Sequence, residues 1–525
     1  MQNRQDAMGQ RRAFPVAAAP LQTSDAALHC LKTGGQRPPL QNQTSLTPGA
    51  PHKTEAAKLR GLPVLLLLLL LFVIYNINFR LVRIDDSVPA RLLPFSLLIN
   101  HSIYLDHWVE PYFASARGPL GVYFVVKFHG HWVSSYPLIT PLIVTPLYVP
   151  AAVWLTHLPP PLRSNPAIRV SVIDLMEKVS ASLIAALSAL VLFLAVRRVA
   201  PLQTSLIVTL AYALASPTWA ISSQALWKHG VGELSFAFLL YALLRNSASS
   251  SYPIWAGVAL AVAAANTPPE GIVILPFLVF FWRRSRADFW RFLAPLVALG
   301  IPVVVYNWYY FGNLLMAYPA YATAPERAAH YFIRTSFADA FAGLLVSPGR
   351  GLFIYVPWAV FSIWGGVRIW RYRDYAWGRY LIVGILLVFL GYAKFSGWWA
   401  GWCFGPRYLT NLMPFLAFFL VPVWPRIEKR SVLRAAFLLA FLAAVWFEVI
   451  GAFCYPSGHW DSVPVSVDRV PSRLWNWRDN PINRNWNAGA APPLLYDDSR
   501  LLLRVPALER QIRQSPPPPN VKGRN

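Results

Sequence analysis

The sequence predicts an all-α polytopic membrane protein with about 11–13 transmembrane helices, its outer-face loops carrying short amphipathic helices. Three observations predict this class. Of the 525 residues, 56% are hydrophobic and only 13% charged, where a soluble domain carries roughly 25% charged residues. The charged residues fall in short clusters between long apolar runs. Every second turn between those runs is basic, as expected when positive charge is retained on one side of a bilayer. The net charge of +24 is therefore spread over many turns. A phosphate backbone needs a contiguous basic patch, so nucleic acid is not an expected partner, whereas a lipid bilayer is.

In chain order, residues 1–60 are polar and rich in Gln, Pro, Ala and Thr without a periodic apolar face, which reads as a disordered cytoplasmic tail. The Leu-rich run from Leu62 to Phe79 has no small-residue cleavage site after it and reads as an uncleaved first span. Ten further spans are expected at Met176 to Val196, Gln203 to Ile221, Gly230 to Leu244, Pro253 to Asn266, Gly271 to Trp282, Phe289 to Phe311, Gly351 to Val367, Tyr380 to Ala393, Leu409 to Trp424 and Val432 to Phe453. The transmembrane domain is thus residues 61–454. Arg197, Arg198, Arg245, Arg283, Arg284, Arg368, Arg371, Arg426 and Lys429 mark the cytoplasmic turns. Tyr136 to Leu158 is apolar enough to cross, but an additional crossing would reverse the side of Arg197 and Arg198. Its four prolines favour a bent or re-entrant path.

Three pieces remain on the outer face: a first loop at 80–135, a second at 312–350, and a short carboxyl-terminal segment at 455–525 expected to pack on the other loops. Chemistry is sought there. Asp85 and Asp86 stand just past the first span, where an acid can act as a general base or, more simply, cap the following helix. Asp106, Glu110, His107, His129 and His131 could bind a divalent metal or orient a sugar, or form a solvated loop. Outer-face cations, Lys228 beside His229, Arg334, Arg350, Lys394 and Arg407, suit a lipid phosphate or the headgroup region. Trp398, Trp399 and Trp402, interleaved with glycine just before Arg407, offer flat faces for a sugar or prenyl chain, or an interfacial belt. Glu448 is the one acid read as lying clearly within a span. Cys30, Cys403 and Cys454 lack metal-ligand spacing, and pairing of Cys403 with Cys454 is left open. No Gly-rich phosphate loop or hydrolase motif is present, which removes soluble nucleotide chemistry.

Four stretches taken together, residues 85–98 (DDSVPARLLPFSLL), 306–313 (YNWYYFGN), 347–352 (SPGRGL) and 398–409 (WWAGWCFGPRYL), resemble the GT-C glycosyltransferases. The likeness is nearest to bacterial protein-mannosyltransferase and aminoarabinose-transferase types and covers about residues 62–485. That resemblance implies transfer of a sugar from a polyprenyl-phosphate donor to a hydroxyl of a glycan, lipid or protein acceptor, with inversion, on the outer side of a plasma (bacterial inner) membrane. It implies that Asp86 is the acceptor base, with Asp85 as understudy and Asp106 as a further acidic candidate. Arg350, Arg407, Lys228 and His229 would hold the donor phosphate. Some members bind a divalent metal, for which no ligand set is matched here. No counterpart of the large carboxyl-terminal domain of some relatives is expected within residues 455–525, which leaves the acceptor open. A transporter or flippase of lipid-linked sugars is the alternative, and predicts several ionisable groups inside the spans. A scaffold predicts no convergence of Asp86, Arg350 and Arg407.

Overall fold

The computed structural model describes residues 61–113, 123–245, 251–314, 336–372 and 375–514. The tail expected at 1–60, Arg334 and most of the second outer loop lie outside them. The described chain is predominantly helical, with almost no strand. Its helices are α1 Leu62–Asn76, α2 Val88–Asn100, α3 Asp106–Phe113, α4 Ile139–His157, α5 Pro166–Val196, α6 Leu202–Leu214, α7 Lys228–Arg245, α8 Tyr252–Asn266, α9 Ile274–Arg284 and α10 Arg286–Phe311. They continue with α11 Phe337–Val346, α12 Ala359–Arg371, α13 Ala376–Lys394, α14 Met413–Phe418, α15 Ser431–Phe453, α16 Pro481–Ala488 and α17 Leu494–Gln514. Five of these, α4, α5, α10, α13 and α15, are long and apolar enough to cross a membrane, so this is a membrane protein.

Local chemistry sets the boundaries. Asn165 caps α5 by accepting from Ala167 N and Ile168 N at 2.9 and 3.3 Å, with Pro166 in the first turn where its missing N–H costs nothing. Ser285 caps α10 through Asp288 N at 3.0 Å, and Gly312, at φ 64°, ends it in the left-handed conformation. Three expected spans are interrupted helices. Gln203 to Ile221 breaks after Leu214 into an irregular turn at Thr218–Ser222, beyond Pro217. Gly351 to Val367 breaks around Pro357, between Leu352–Tyr355 and α12. Leu409 to Trp424 opens as a 3₁₀ turn, Arg407–Leu412, before α14. Proline supplies no N–H to the helical ladder, and the apolar count alone does not register that.

The first loop is more ordered than a solvated linker. Helix α2 is buried from Val88 to Ser96 and packs with α3, α4 and the start of α5 around Phe95, Trp108, Tyr148 and Ile168. Phe95 meets Trp108 at 5.2 Å and Tyr148 at 5.0 Å between ring centroids. A small antiparallel hairpin, β1 Val125–Phe128 and β2 His131–Ser134, turns at His129 and Gly130, both at positive φ (49° and 90°), the pair of angles a two-residue hairpin turn demands.

Helix α4 is continuous, with Pro146 and Pro150 inside it, and is not re-entrant. Its ends lie at the same end of the bundle. Thr140, in its first turn, donates to Asn266 Oδ1 at the end of α8 at 2.7 Å, and Asn266 donates to the carbonyl of Lys228 at the start of α7 at 2.6 Å. Leu155 and Thr156, in its last turn, line one cleft with Arg169 in the first turns of α5. The first turns of α5 are in turn fixed beside the loop that leaves α1: Arg83 donates to Asp174 Oδ2 through Nε at 2.8 Å and Nη2 at 2.5 Å, and Arg91 of α2 donates to Glu177 Oε2 at 2.6 Å. So α4 runs along one end of the bundle, and Arg197 and Arg198 fall at the opposite, basic end with Arg245, Arg283 and Arg371. At 31 residues α5 is longer than the ~20 residues a crossing needs.

Candidate functional site

The site begins with the one-turn 3₁₀ segment Asp85–Ser87 that leads into α2. Asp86 does not cap the helix: Ser87 holds the N-cap position and no side chain bonds to the first turn. Its carboxylate turns toward the hairpin instead. Oδ1 accepts from the phenols of Tyr123 at 2.8 Å and Tyr136 at 2.7 Å, which flank β1 and β2. Oδ2 accepts from Nη2 of Arg407, 321 positions away in sequence. Burial by itself would raise the Asp86 carboxyl, but the Arg407 charge and the phenol and guanidinium donors outweigh it, and the group titrates below its ordinary range. Asp85 differs. Burial, and then the neighbouring Asp86 charge, push its carboxyl up against the opposing pull of Arg91.

Arg407 is held on every side. Nη1 donates to the Ala400 carbonyl at 3.1 Å, Nε donates to His229 Nε2 at 3.2 Å, and the guanidinium carbon lies 3.8 Å from the centroid of the Trp227 ring. Because Nε2 of His229 accepts, the imidazole proton resides on Nδ1, which donates to Asn411 Oδ1 at 3.0 Å. The Asn411 amide then donates to Glu270 Oε1. Gly232, one turn past His229, makes this possible: a Cβ there would overlap the Asn411 amide. His229, Asn411 and Glu270 are all buried.

Trp227 and Lys228 reach the site through the irregular turn before α7. Two buried carboxylates grip that turn: Thr218 Oγ1 donates to Glu233 Oε1 at 2.5 Å, and Ala220 N donates to Glu448 Oε2 at 3.1 Å. Glu448 therefore has a second mid-bundle acid beside it, Glu233 of α7, contrary to its expected isolation. Asp86, Tyr136, Thr140, Trp227, Lys228 and Arg407 line a cleft of about 310 Å³, counting its mouth. One carboxylate and two cations face it, an arrangement that suits an anion with a hydroxyl-bearing neighbour.

The other sequence candidates lie elsewhere. Arg350 does not line this cleft. It is 1% exposed and donates to the carbonyls of Trp399, Gly401 and Gly349, each at 2.9 Å, and to Asp461 Oδ1 at 2.6 Å. It bonds the carbonyls on either side of Ala400, the residue held by Arg407, and so clamps the 399–401 loop from beneath. Trp398 is buried against Gly343, Trp399 donates to Asp468 at 2.7 Å, and Trp402 is exposed with a 3.4 Å bond to Ser466. Trp399 and Trp402 thus tie their loop to the carboxyl-terminal segment, while Trp398 packs it against α11. Asp106 opens α3, accepting from Trp132 N and bonding His131 Nδ1, both at 2.7 Å, and does not line the cleft. Cys403 and Cys454 are free and buried. Among the described residues no group of three or more His, Cys, Asp and Glu is placed to hold a metal ion.

Four participants escape the sequence reading: Tyr123, Tyr136, Asn411 and Glu270. Only Glu270 carries a signal, as the acid of a Thr-Pro-Pro-Glu turn. No family model, curated protein or solved structure matches the chain.

Proposed function

We propose that this protein is a membrane glycosyltransferase of the GT-C type, moving a sugar from a polyprenyl-phosphate donor to an acceptor hydroxyl with inversion. The observation that carries the reading is the convergence of Asp86, Lys228 and Arg407, from three distant parts of the chain, on one cleft. A scaffold has no use for that convergence, which Lys228 joins in place of the expected Arg350.

In this reading the acceptor hydroxyl attacks the anomeric carbon, the new glycosidic C–O bond forms as the C–O bond to phosphate breaks, and the acceptor proton passes to Asp86. Arg407 and Lys228 hold the departing polyprenyl phosphate, which needs no proton to leave. A carboxylate tied to Arg407 is a weak base. Arrival of the donor phosphate resolves this, because it competes for the same guanidinium and leaves Asp86 with less positive charge beside it, raising its proton affinity when the acceptor is in place. The cleft end of the bundle is the outer side of a plasma or bacterial inner membrane, opposite the basic turns. His229 orients Arg407 instead of meeting the phosphate itself.

The test is transfer of labelled sugar from polyprenyl phosphate in membranes reconstituted with the wild-type protein and Asp86→Asn. Transfer by the first and none by the second is expected; equal transfer, with Asp85 intact, sinks the assignment of the base. The transporter alternative draws support from Glu233 and Glu448, but both are engaged by the backbone or hydroxyl of the Thr218–Ser222 turn. Movement of intact lipid-linked sugar between leaflets, without a transferred product, favours it.

A further inference from the structure

A second cleft, of about 540 Å³, opens between the end of α2, the start of α3, the end of α4 and the start of α5, and shares no lining residue with the Asp86 cleft. Its floor is apolar, with Ile99, Leu155 and the Trp108 ring, and its rim carries Arg163 and Arg169. None of the described residues lining it is acidic. Arg169 is preset: its guanidinium lies 4.2 Å from the Trp108 centroid, and Nη2 donates to the His107 carbonyl at 2.6 Å. The Trp108 ring is itself fixed by Nε1 donating to Asn100 Oδ1 at 2.7 Å. Arg163 is exposed and has one long bond, 3.5 Å, to the Thr156 carbonyl.

The surface leading to this cleft identifies its ligand. On α4 the opposite face, with Val144, Tyr148, Ala152 and Leu155, is buried. The exposed positions Leu142, Ile143, Pro146, Val149, Pro150 and Val153 form one stripe at helical spacing. That stripe is wholly apolar until the last turn, where Thr156 and His157 replace it and the arginines begin. An apolar helix face that rests on hydrocarbon and ends in a two-arginine notch matches an amphiphile whose chains enter the bilayer beside that face and whose anionic head sits in the notch.

We infer that the cleft bounded by Trp108, Arg163 and Arg169 binds the phosphate headgroup of an anionic lipid whose acyl chains enter the bilayer beside the exposed apolar face of α4. Guanidinium forks pair with phosphate oxygens in two parallel hydrogen bonds, and the aromatic and aliphatic floor excludes water from the contact.

The full chain is placed in nanodiscs of mixed phosphatidylcholine and phosphatidylglycerol, and retained lipids are counted by native mass spectrometry. The wild type is expected to keep one phosphatidylglycerol in preference to phosphatidylcholine. Arg163→Ala should lower that preference about fivefold, the worth of one cation beside an anionic headgroup, and adding Arg169→Gln should lower it about fivefold again. Arg163 is exposed, so its variant keeps the fold. Arg283→Ala, an exposed arginine at the basic end, should leave the preference unchanged. Equal retention of both lipids by the wild type overturns the site, as does an equal drop with Arg283→Ala. Displacement of the retained lipid by inorganic phosphate alone would give the notch to a soluble phosphate and overturn the lipid assignment.

Discussion

The Nε–H of Arg407 donates to Nε2 of His229 at 3.2 Å, and this bond governs how the rest of the guanidinium is directed. With Nε fixed behind and Nη1 on the Ala400 carbonyl, Nη2 points at Asp86. An arginine on a flexible stem is thereby turned into a rigid fork at the mouth of a cleft. Rigidity of this kind is what electrostatic stabilisation of a departing phosphate needs, since donors already in place cost no reorganisation during reaction.

Asp86→Asn should abolish sugar transfer, and it should also destabilise the protein. Removing one partner of a nearly buried ion pair leaves the other charge uncompensated, at a typical cost of about 3–5 kcal/mol. The double change Asp86→Asn with Arg407→Gln removes both charges and should recover most of that stability while remaining inactive. Thermal melts beside transfer assays separate the two effects. A double variant no more stable than the single one would show that an uncompensated Arg407 charge is not the source of the loss.

The phenols of Tyr123 and Tyr136 help to hold the Asp86 carboxyl below its usual range. The stability this group contributes is complete above the ordinary carboxylate range and disappears as pH falls through its lowered value. Tyr136→Phe removes one donor and moves the folded-state value upward. The acid-induced loss of stability should therefore be smaller in Tyr136→Phe than in the wild type and should be complete at a higher pH, and the acid limb of the transfer rate should move to higher pH. A limb unmoved by Tyr136→Phe would assign it to a different group.

Arg350 illustrates how a cation in a suggestive motif can be structural. Arg350→Ala would leave Asp461, 4% exposed, with only the Tyr455 hydroxyl at 2.9 Å, and would release the 399–401 carbonyls. We expect about 3–5 kcal/mol of lost stability with donor affinity unchanged in the protein that remains folded. Denaturation curves and donor titration check both halves. Weaker donor binding without lost stability would return Arg350 to the phosphate site.

The helical class was legible because apolar runs between basic turns leave few alternatives, and four of the expected spans coincide with helices long and apolar enough to cross, α5, α10, α13 and α15. The position of Asp86 was legible too, since it follows the first span at once. Its partners were not. Tyr123 and Tyr136 reach it only because the hairpin folds back over α2, and nothing in the local sequence distinguishes them from other tyrosines. The misreading of Arg350 has the same origin: Asp461, its partner, comes from the carboxyl-terminal segment. Asp174 and Glu177 were hidden because α5 is longer than a crossing needs, so its charged early turns continue directly into the apolar stretch of the same helix.

His229 offers the sharpest separation between orienting a group and contacting the substrate. In His229→Gln, the Gln side-chain oxygen can accept from the Arg407 Nε–H, and its amide can still donate to Asn411. In His229→Leu, the shape is approximated but the buried Nε–H loses its acceptor, a deficit of roughly 1–3 kcal/mol, or more for a charged donor. Transfer activity should therefore fall modestly in the first variant and by about tenfold or more in the second. Both should retain the Asp86-dependent acid limb, because neither changes the groups bonded to the carboxylate except through Arg407. A residue that met the phosphate directly would instead be lost in both variants alike, with donor affinity falling to the same degree.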